Sequence, residues 1–384
     1  MKILFICKCS PLMEGGAETR TKEVAFRAAK LGHEITIYCG KTNIDEQAEV
    51  LVNQVKVIHK KVMPDWLVRR FPYPSYVSMA AASLFLFIPL LSFLKRERYD
   101  VIREDFAPFP PTGPLALVRL LGLKRIAMAH NLSSTLKGWT KFYGPIYGLA
   151  GYLAYRLLVS GRFKYDRIVC AARFLAEDLK RHPNISDKVA YIPNGINLND
   201  FKRNGVKREQ GETIRLLCAG RLVELKGFRF AIEAMGYLKN EYPQVKLDIL
   251  GKGPAKESLA QLSEKLGVSH MVRFLAPVDH SEMSRVYNEY QFLVMPSLTE
   301  GFPMTLIEAM ASHLPIVATD IPAVRAVLPP ESATLVMKEN GRDLAEKLKW
   351  AFENPEPVRR GADKAYEIAK EYDWDQTTIE EIEH

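Results

Sequence analysis

Short apolar runs alternate with helical patterns along the whole chain, and this alternation limits the possible fold more than any other feature. Such runs are typical of strands that are buried on both faces of a sheet. Helical segments between them indicate parallel strands with crossover helices, so we predict an α/β fold. The predicted strands are 3–7, 34–39, 55–59, 101–103, 126–130 and 167–170 in the first half, and 190–192, 214–219, 246–250, 272–275, 291–295 and 316–318 in the second.

The chain is long enough for two such units. It has 384 residues, and domains usually contain about 100–200 residues. Its apolar content of 47% is sufficient for two packed cores. We place the joint in the polar stretch between residues 179 and 188. This gives a first Rossmann-like domain at 1–183 and a second at 184–365.

A predicted strand, a loop and a helix between residues 291 and 310 carry two carboxylates. Glu300 lies on the loop before a Gly-Phe-Pro turn, and Glu308 lies in the first turns of the helix. Ligands of open α/β sheets bind outside the carboxyl ends of the strands, where helix N-termini also offer N–H groups to phosphate. Two carboxylates there can bind the hydroxyls of a sugar or ribose. For either glutamate alone, the alternative is a solvated residue favoured by the helix dipole.

A second strand, turn and helix entry carries two cations. Arg221 and Lys226 follow the predicted strand 214–219, with Gly220 and Gly227 as flexible points. Arginine offers a planar fork to phosphate oxygens and lysine a compact charge, so the pair suits a diphosphate leaving group. A solvated loop is the alternative.

A third glycine-rich turn follows the first predicted strand. Gly15 and Gly16 let backbone approach a ligand before the helix that begins near Ala17. The pattern is not G-x-G-x-x-G, so it does not favour a dinucleotide cofactor. A simple turn between strand and helix is the alternative.

Together these segments resemble the family 4 glycosyltransferases, also called glycosyl transferases group 1. The resemblance implies retaining enzymes of the GT-B fold, an α/β fold with two Rossmann-like domains facing each other across a cleft. It covers nearly the whole chain. The segments that carry it are 15–18, 192–197, 219–227, 250–254 and 296–310.

The resemblance implies roles for five residues. Glu308 is expected to bind ribose hydroxyls, and Glu300 to face the hydroxyls of the transferred sugar. Arg221 and Lys226 are expected to bind the diphosphate. His130 resembles the active-site histidine near the donor sugar, although a lone histidine is more often a hydrogen-bonded structural residue. The other donor-binding residues that the resemblance implies are Gly15, Gly16, Gly301, Phe302, Pro303, Met304, Thr305 and Leu306.

The resemblance also implies an activity. We expect transfer of a sugar, with retention, from a nucleoside diphosphate sugar to an acceptor hydroxyl in the assembly of cell-surface polysaccharide, lipopolysaccharide or glycolipid. No Asp-x-Asp motif lies in the loops predicted to bind the donor, so neither a metal nor another cofactor is expected to be required. The alternatives are a nucleotide-sugar 2-epimerase of the same fold and a non-catalytic nucleotide-sugar-binding protein. The C-terminal helix, about 366–384, is expected to pack back on the first domain.

The formal charge of +8 permits three kinds of partner: anionic nucleotide sugars and acceptors, an anionic membrane, or nucleic acid. Nucleic acid is the least favoured, because no recognition motif with interleaved aromatics is present. Residues 71–94 are uncharged but interrupted by prolines, so they suit a buried helix, peripheral insertion or a span. Residues 139–163 combine aromatics and cations, which suits lipid headgroups or a half-buried helix. We therefore include peripheral membrane contact with a sugar or lipid-linked acceptor as a hypothesis.

The cysteines indicate a reducing compartment. The chain has five, without paired spacing. Cys39, Cys170 and Cys218 fall within predicted strands, where cysteine acts as a small apolar residue. Cys7 and Cys9 are too close for an ordinary disulfide and have no histidine cluster beside them for zinc. The first apolar run is too short for a signal peptide. We expect a cytoplasmic protein, with the inner face of the cell membrane as a further location.

Overall fold

The computed structural model describes residues 1–7, 10–12, 16–41, 47–61, 87–106, 123–129, 136–201 and 213–382. The chain divides into two compact units. The first contains Met1–Asn194 and Trp374–His384, and the second contains Gly195–Asp373. Both boundaries lie later in the chain than the limits placed at 183 and 366 from the sequence.

The first unit has an eight-stranded sheet in the order β3-β4-β2-β1-β5-β6-β7-β8. Its strands are β1 Lys2–Cys7, β2 Glu34–Gly40, β3 Glu49–Val52, β4 Val55–Lys60, β5 Val101–Phe106, β6 Lys124–Ala129, β7 Arg167–Cys170 and β8 Val189–Tyr191. Its described helices are α1 Gly16–Lys30, α2 Phe87–Arg96, α3 Leu136–Val159, α4 Arg173–Lys180 and, near the C-terminus, α12 Trp374–Ile382.

Pairing in this sheet is parallel except between β3 and β4. These two form a hairpin whose turn residues, Asn53 and Gln54, both have positive φ, 48° and 66°. Two consecutive positive φ angles are typical of a turn that matches the twist of hairpin strands. The sequence did not predict β3, because it is short and half exposed rather than continuously buried.

The last strand of the first sheet corrects one prediction. The run at 190–192 was assigned to the second domain, but β8 pairs in parallel with β7, with Ile168 opposite Val189. The helix α4 and the short 3₁₀ turn Ser186–Lys188 form the crossover between the two strands. A helical crossover connects two parallel strands of the same sheet, here β7 and β8. β8 is therefore the last strand of the first sheet.

The second unit has a six-stranded parallel sheet in the order β11-β10-β9-β12-β13-β14. Its strands are β9 Ile214–Ala219, β10 Val245–Leu250, β11 Val272–Leu275, β12 Phe292–Met295, β13 Ile316–Thr319 and β14 Thr334–Val336. Its helices are α5 Phe228–Leu238, α6 Lys256–Lys265, α7 Met283–Asn288, α8 Met304–Ala311, α9 Pro322–Arg325, α10 Gly341–Glu353 and α11 Pro355–Ala369.

The core of the second unit follows from its sequence pattern. Helix α5 buries Phe228, Ile232 and Met235, which recur at helical spacing, against the sheet. Strand β12 is buried at every position, as expected of a central parallel strand. The sheet order reverses direction between β9 and β12, so the crevice where open sheets bind ligands lies beyond their carboxyl ends.

Helix α12 joins the first unit through a buried group of charges. Glu381 accepts hydrogen bonds from Arg20 Nε at 3.0 Å and from Arg103 Nε at 2.8 Å, and all three side chains are fully buried. Burial alone would raise the pKa of Glu381, but the charges of Arg20 and Arg103 outweigh burial and keep its pKa below the ordinary value. The carboxylate is therefore charged and paired on both oxygens.

The apolar segment at 71–94 is only partly described. Its last residues belong to α2, and residues 71–86 lie outside the described residues. Among the helices that the structure describes, none is both long enough and apolar enough to cross a membrane.

Candidate active site

The loops that follow β9 and β12 touch each other at the point where the sheet order reverses. Leu298 donates its backbone N–H to the carbonyl of Leu225 at 2.8 Å. Gly227 has a φ of 63°, and a Cβ there would lie 2.0 Å from the carbonyl oxygen of Pro296. No other residue fits without moving backbone, so this glycine allows the two loops to meet.

The loop after β9 is also fixed to the loop after β10. Leu222 donates its N–H to the carbonyl of Lys252 at 2.9 Å, and Ala255 donates to the carbonyl of Leu222 at 2.9 Å. A Cβ on Gly251 would lie 1.9 Å from the carbonyl oxygen of Gly220. These contacts give the cation-bearing loop a defined backbone before any ligand binds.

Lys226 and Glu300, predicted from separate segments, form an ion pair. Lys226 Nζ lies 2.7 Å from Glu300 Oε1. Ser297 Oγ donates to the same oxygen at 2.7 Å, and Ser297 is fully buried just after β12. The lysine side chain is 20% exposed and the glutamate side chain 9%. Since the lysine remains accessible, its charge is available to an incoming anion.

Glu308 has two partners of its own. Tyr287 donates its hydroxyl to Glu308 Oε2 at 2.7 Å, and His280 Nε2 lies 2.9 Å from Oε1. Burial and the charge of Glu308 raise the pKa of Tyr287 well above its ordinary value, so the phenol stays protonated and donates. The side chain of Glu308 is 6% exposed and that of His280 is 55% exposed. One carboxylate oxygen therefore has a buried partner, and the other has a partner at the surface.

An aromatic side chain supports this arrangement. Phe201 lies on the 3₁₀ turn Leu198–Phe201 and is buried. Its ring centroid is 5.9 Å from that of His280 and 6.2 Å from that of Tyr287. Ring pairs at these distances and tilts are favourable, so Phe201 helps to fix both partners of Glu308.

Four residues of this site were not predicted from the sequence: Ser297, His280, Tyr287 and Phe201. Ser297 had a local signal, since it directly follows a predicted strand beside Glu300. The other three had none, because they lie 21 or more residues before Glu308 and meet it only in the folded sheet.

The remaining predicted residues lie in several places. Arg221 is exposed, and its side chain forms no ion pair or hydrogen bond with the described residues. Phe302 packs against Tyr372, with ring centroids 5.8 Å apart. Gly16, the first residue of α1, is exposed in the first unit. The structure places Gly301, Pro303, Met304, Thr305 and Leu306 on the turn and first helical residues after β12, whereas Gly15 and His130 lie outside the described residues.

The described part of the chain contains no group of three or more histidine, cysteine, aspartate or glutamate side chains arranged to bind a metal ion. The charged groups beyond β9 and β12 include the cations Arg221 and Lys226 and the carboxylates Glu300 and Glu308. Such a set can bind an anion together with hydroxyl groups.

Comparison with known families agrees with this arrangement. The family Glycosyltransferase Family 4 matches residues 14–200, and the family Glycosyl transferases group 1 matches residues 200–368. The two matches together cover most of the chain. It belongs to the family 4 glycosyltransferases. The resemblance stated from the sequence is thereby confirmed.

Two relatives of this chain have names that refer to inositol-containing compounds. D-inositol 3-phosphate glycosyltransferase of Streptomyces bingchenggensis is 30% identical over 229 residues, 55% of this chain and 50% of the relative. The phosphatidylinositol N-acetylglucosaminyltransferase subunit of Homo sapiens is 24% identical over 344 residues, 88% of this chain and 66% of the relative. The chain thus spans between half and two thirds of the length of these relatives.

Solved structures confirm the predicted α/β fold with two parallel-sheet units. Sucrose-phosphate synthase from Thermosynechococcus elongatus has a TM-score of 0.83 at 16% identity, covering 99% of this chain and 97% of that one. WaaG, a glycosyltransferase involved in lipopolysaccharide biosynthesis, has a TM-score of 0.76 at 17% identity, covering both chains fully. Anabaena HepE in complex with UDP-glucose has a TM-score of 0.74 at 17% identity, covering 100% of this chain and 98% of that one.

Proposed function

We propose that this glycosyltransferase moves a hexose from a nucleoside diphosphate sugar to an acceptor hydroxyl, with retention of configuration. The observation that carries the proposal is the Lys226–Glu300 ion pair at the end of β9 and β12, with Glu308 on the adjoining helix. A cation and two carboxylates at this place match the diphosphate and the two sets of hydroxyls of such a donor.

The ion pair supports a role for Lys226 in leaving-group stabilisation. The charge of Lys226 is balanced by Glu300. A bound diphosphate offers more negative charge than one carboxylate, so Lys226 and the exposed Arg221 can bind phosphate oxygens as charge develops on them. Glu300 is then available to accept a hydrogen bond from a sugar hydroxyl.

The reaction follows from this assignment. The bond between the anomeric carbon and the diphosphate oxygen breaks, and its electron pair goes to the diphosphate. The acceptor oxygen forms the new bond on the same face, and its proton passes to the leaving phosphate oxygen. In this scheme the protein contributes charge and orientation, and no side chain is used as a nucleophile.

The first donor to test is UDP-glucose. Anabaena HepE, which shares this fold, binds UDP-glucose. Glu308, held by Tyr287 and His280, is suited to the two ribose hydroxyls that every ribonucleoside diphosphate carries. We therefore propose that Glu308 binds the ribose of the donor. Experiment decides which base the donor carries.

The acceptor proposed here is a sugar or a lipid-linked sugar of the cell envelope. The functions named for the inositol-linked relatives and for WaaG support this class. Helix α3 adds a structural reason. Leu149, Leu153 and Leu157 are 49%, 54% and 38% exposed and follow one another at four-residue spacing, beside the exposed Arg156. An exposed apolar stripe with a cation suits peripheral contact with an anionic membrane.

The test is binding followed by turnover. UDP, GDP, ADP and their hexose conjugates are screened for a rise in melting temperature, with and without magnesium, because a ligand that binds the native state stabilises it. The stabilising nucleotide sugar is then incubated with inositol- and sugar-based acceptors, and the anomeric configuration of the product is read by NMR. No stabilisation by any nucleotide would contradict the donor site, and an inverted product would contradict the mechanism.

The membrane proposal has a separate test. Replacement of Leu149, Leu153 and Leu157 by serine should reduce sedimentation with anionic liposomes at low salt, while nucleotide binding is unchanged. Leu51, a 73% exposed residue of β3, provides the control substitution. If wild-type protein does not sediment with such liposomes, peripheral contact is ruled out.

A further inference from the structure

The second unit contains a cavity of about 650 Å³ that is separate from the candidate active site. It is lined by Ile316 and Thr334, the first residues of β13 and β14. Because the sheet is parallel, these residues lie at the amino ends of the strands, whereas Arg221 and Glu300 follow the carboxyl ends of β9 and β12. The cavity and the candidate active site therefore lie at opposite ends of the same sheet.

Helices α10 and α11 and the turn Pro330–Ser332 form the walls of the cavity. Helix α11 comes close to this turn at Gly361, where a Cβ would lie 3.3 Å from the carbonyl oxygen of Glu331. Among the described strands, β14 lies at the edge of the sheet, and none of them pairs with its outer backbone groups. The walls of the cavity thus consist of two packed helices and the backbone of an edge strand.

Cations dominate the lining. One carboxylate, Glu331, and four basic side chains line the cavity. The charge of Arg325 is balanced by Asp320, whose carboxylate accepts from its guanidinium. The three other cations form no ion pair with the described residues, and they are Lys347, Arg360 and Lys364. Against the single carboxylate of Glu331, these three cations leave the concave surface with an excess of positive charge, which favours a ligand with a doubly charged group such as phosphate.

Two further side chains indicate what else such a ligand carries. Trp350 lines the same cavity, lies one helical turn after Lys347 on α10, and is 44% exposed. An exposed indole offers an apolar face to a ring, and a sugar has such a face on its C–H side. Ser332 is 1% exposed and its hydroxyl has no hydrogen-bond partner among the described residues. An unpaired buried hydroxyl is costly, and a polar ligand in the cavity would offer it a partner.

We propose that this cavity is a second binding site, for a phosphorylated sugar. Lys347, Arg360 and Lys364 bind the phosphate, and Trp350 packs against the sugar ring. The volume lies within the range of about 300–1,000 Å³ that is usual for small-molecule sites. The same chemistry is offered by a free sugar phosphate and by the head group of a phosphoglycolipid, and the site is independent of the donor site.

Binding of glucose 6-phosphate to the full-length protein, measured by isothermal titration calorimetry, tests the proposal. Arg360→Gln and Lys347→Gln should each weaken binding about tenfold, since a charge-assisted hydrogen bond contributes roughly this much to affinity. The matched controls are Arg359→Gln and Lys349→Gln. Arg359 pairs with Glu356 and Lys349 with Glu241, and neither lines the cavity.

Two additional variants locate the ligand. Trp350→Ala should weaken glucose 6-phosphate binding more than binding of inorganic phosphate. Lys226→Gln should leave both unchanged, because Lys226 belongs to the candidate active site. Loss of binding in Lys226→Gln would place the phosphate there and overturn the proposal. Absence of saturable binding at millimolar concentrations, or equal weakening in the matched controls, would also overturn it.

An experiment with lipid vesicles distinguishes a lipid head group from a free sugar phosphate. Liposomes containing a phosphoinositide are compared with free glucose 6-phosphate, again in wild type and Arg360→Gln. Sedimentation that depends on Arg360 identifies a lipid head group as a ligand. Calorimetric binding without such sedimentation identifies a free sugar phosphate. Both outcomes support the phosphorylated-sugar site.

Discussion

Each unit contains a group of opposite charges, and the two groups differ in how far solvent reaches them. In the first unit, Arg20 and Arg103 both bind Glu381, and all three side chains are fully buried. In the second unit, Lys226 is partly exposed and shares Glu300 with a buried serine. A sealed group cannot exchange partners, whereas a half-open pair can release its lysine to a phosphate. Buried charges of the first kind stabilise the fold, and partly exposed charges of the second kind can act on a ligand.

The largest expected effect is a loss of protein stability when the buried group of Arg20, Arg103 and Glu381 is disrupted. Glu381→Ala should lower the free energy of unfolding by about 3–5 kcal/mol, because it leaves the buried Arg20 without its carboxylate and the buried Arg103 with Asp105 alone. Chemical denaturation measures the change. Glu380→Ala, at the half-buried neighbouring position, is the control and should cost less than about 1 kcal/mol as an ordinary near-surface change. Equal effects of the two variants would show that the buried group is not what attaches α12.

Disruption of the partly exposed Lys226–Glu300 pair should instead lower activity more than stability. Lys226→Ala should lower kcat about 10²–10³-fold, as for the loss of one charge-stabilising donor, with little change in unfolding free energy. Steady-state kinetics with the identified donor gives the rate. Arg229→Ala, on the helix that follows the same loop but paired with Glu233 at the surface, serves as the control. A near-normal rate for the Lys226 variant would remove it from the mechanism.

Tyr287 provides a sharper test, because it acts only through Glu308. Tyr287→Phe removes one hydrogen bond to a charged group and should raise KM for the donor about tenfold, with kcat nearly unchanged. The variant should also discriminate less between the ribonucleotide and the 2′-deoxyribonucleotide donor. A purely structural tyrosine would change melting temperature without changing that discrimination.

The smallest effect is expected at Ser297. Ser297→Ala leaves Glu300 paired with Lys226 and removes only the second hydrogen bond to Oε1, so the rate should fall about fivefold, equivalent to about 1 kcal/mol. Ser297→Thr keeps the hydroxyl and should recover activity if the added methyl is accommodated. A loss as large as that of Lys226→Ala would mean that the serine, rather than the lysine, sets the geometry of the pair.

The strands that could be predicted from the sequence are those that carry an apolar run of their own. β1, β9 and β12 contain the buried apolar runs 3–7, 216–219 and 292–295, whose faces are both covered, and the strands were predicted nearly to their ends. β3 and β14 are edge strands with exposed or half-exposed residues, so their sequences lack that signal. An edge strand is specified by its single neighbour more than by its own composition.

The same distinction applies to the candidate site. Lys226, Glu300 and Glu308 lie on short segments that carry recognisable patterns, and the structure brings the first two into contact. Tyr287 comes from a helix with no such pattern, and its distance from Glu308 depends on how α7 and α8 pack beside the sheet. Partners chosen by packing between distant segments cannot be read from either segment alone.

The attachment of α12 to the first unit has a consequence for biosynthesis. Residues 195–373 form a continuous stretch, so on the ribosome the second unit is complete in sequence before the first. Arg20 and Arg103 are translated before the second unit, yet Glu381, which binds both, is translated only after it. Until Glu381 emerges, Arg20 lacks its carboxylate partner and Arg103 has Asp105 alone. Completion of the first unit therefore waits until the second unit has been translated.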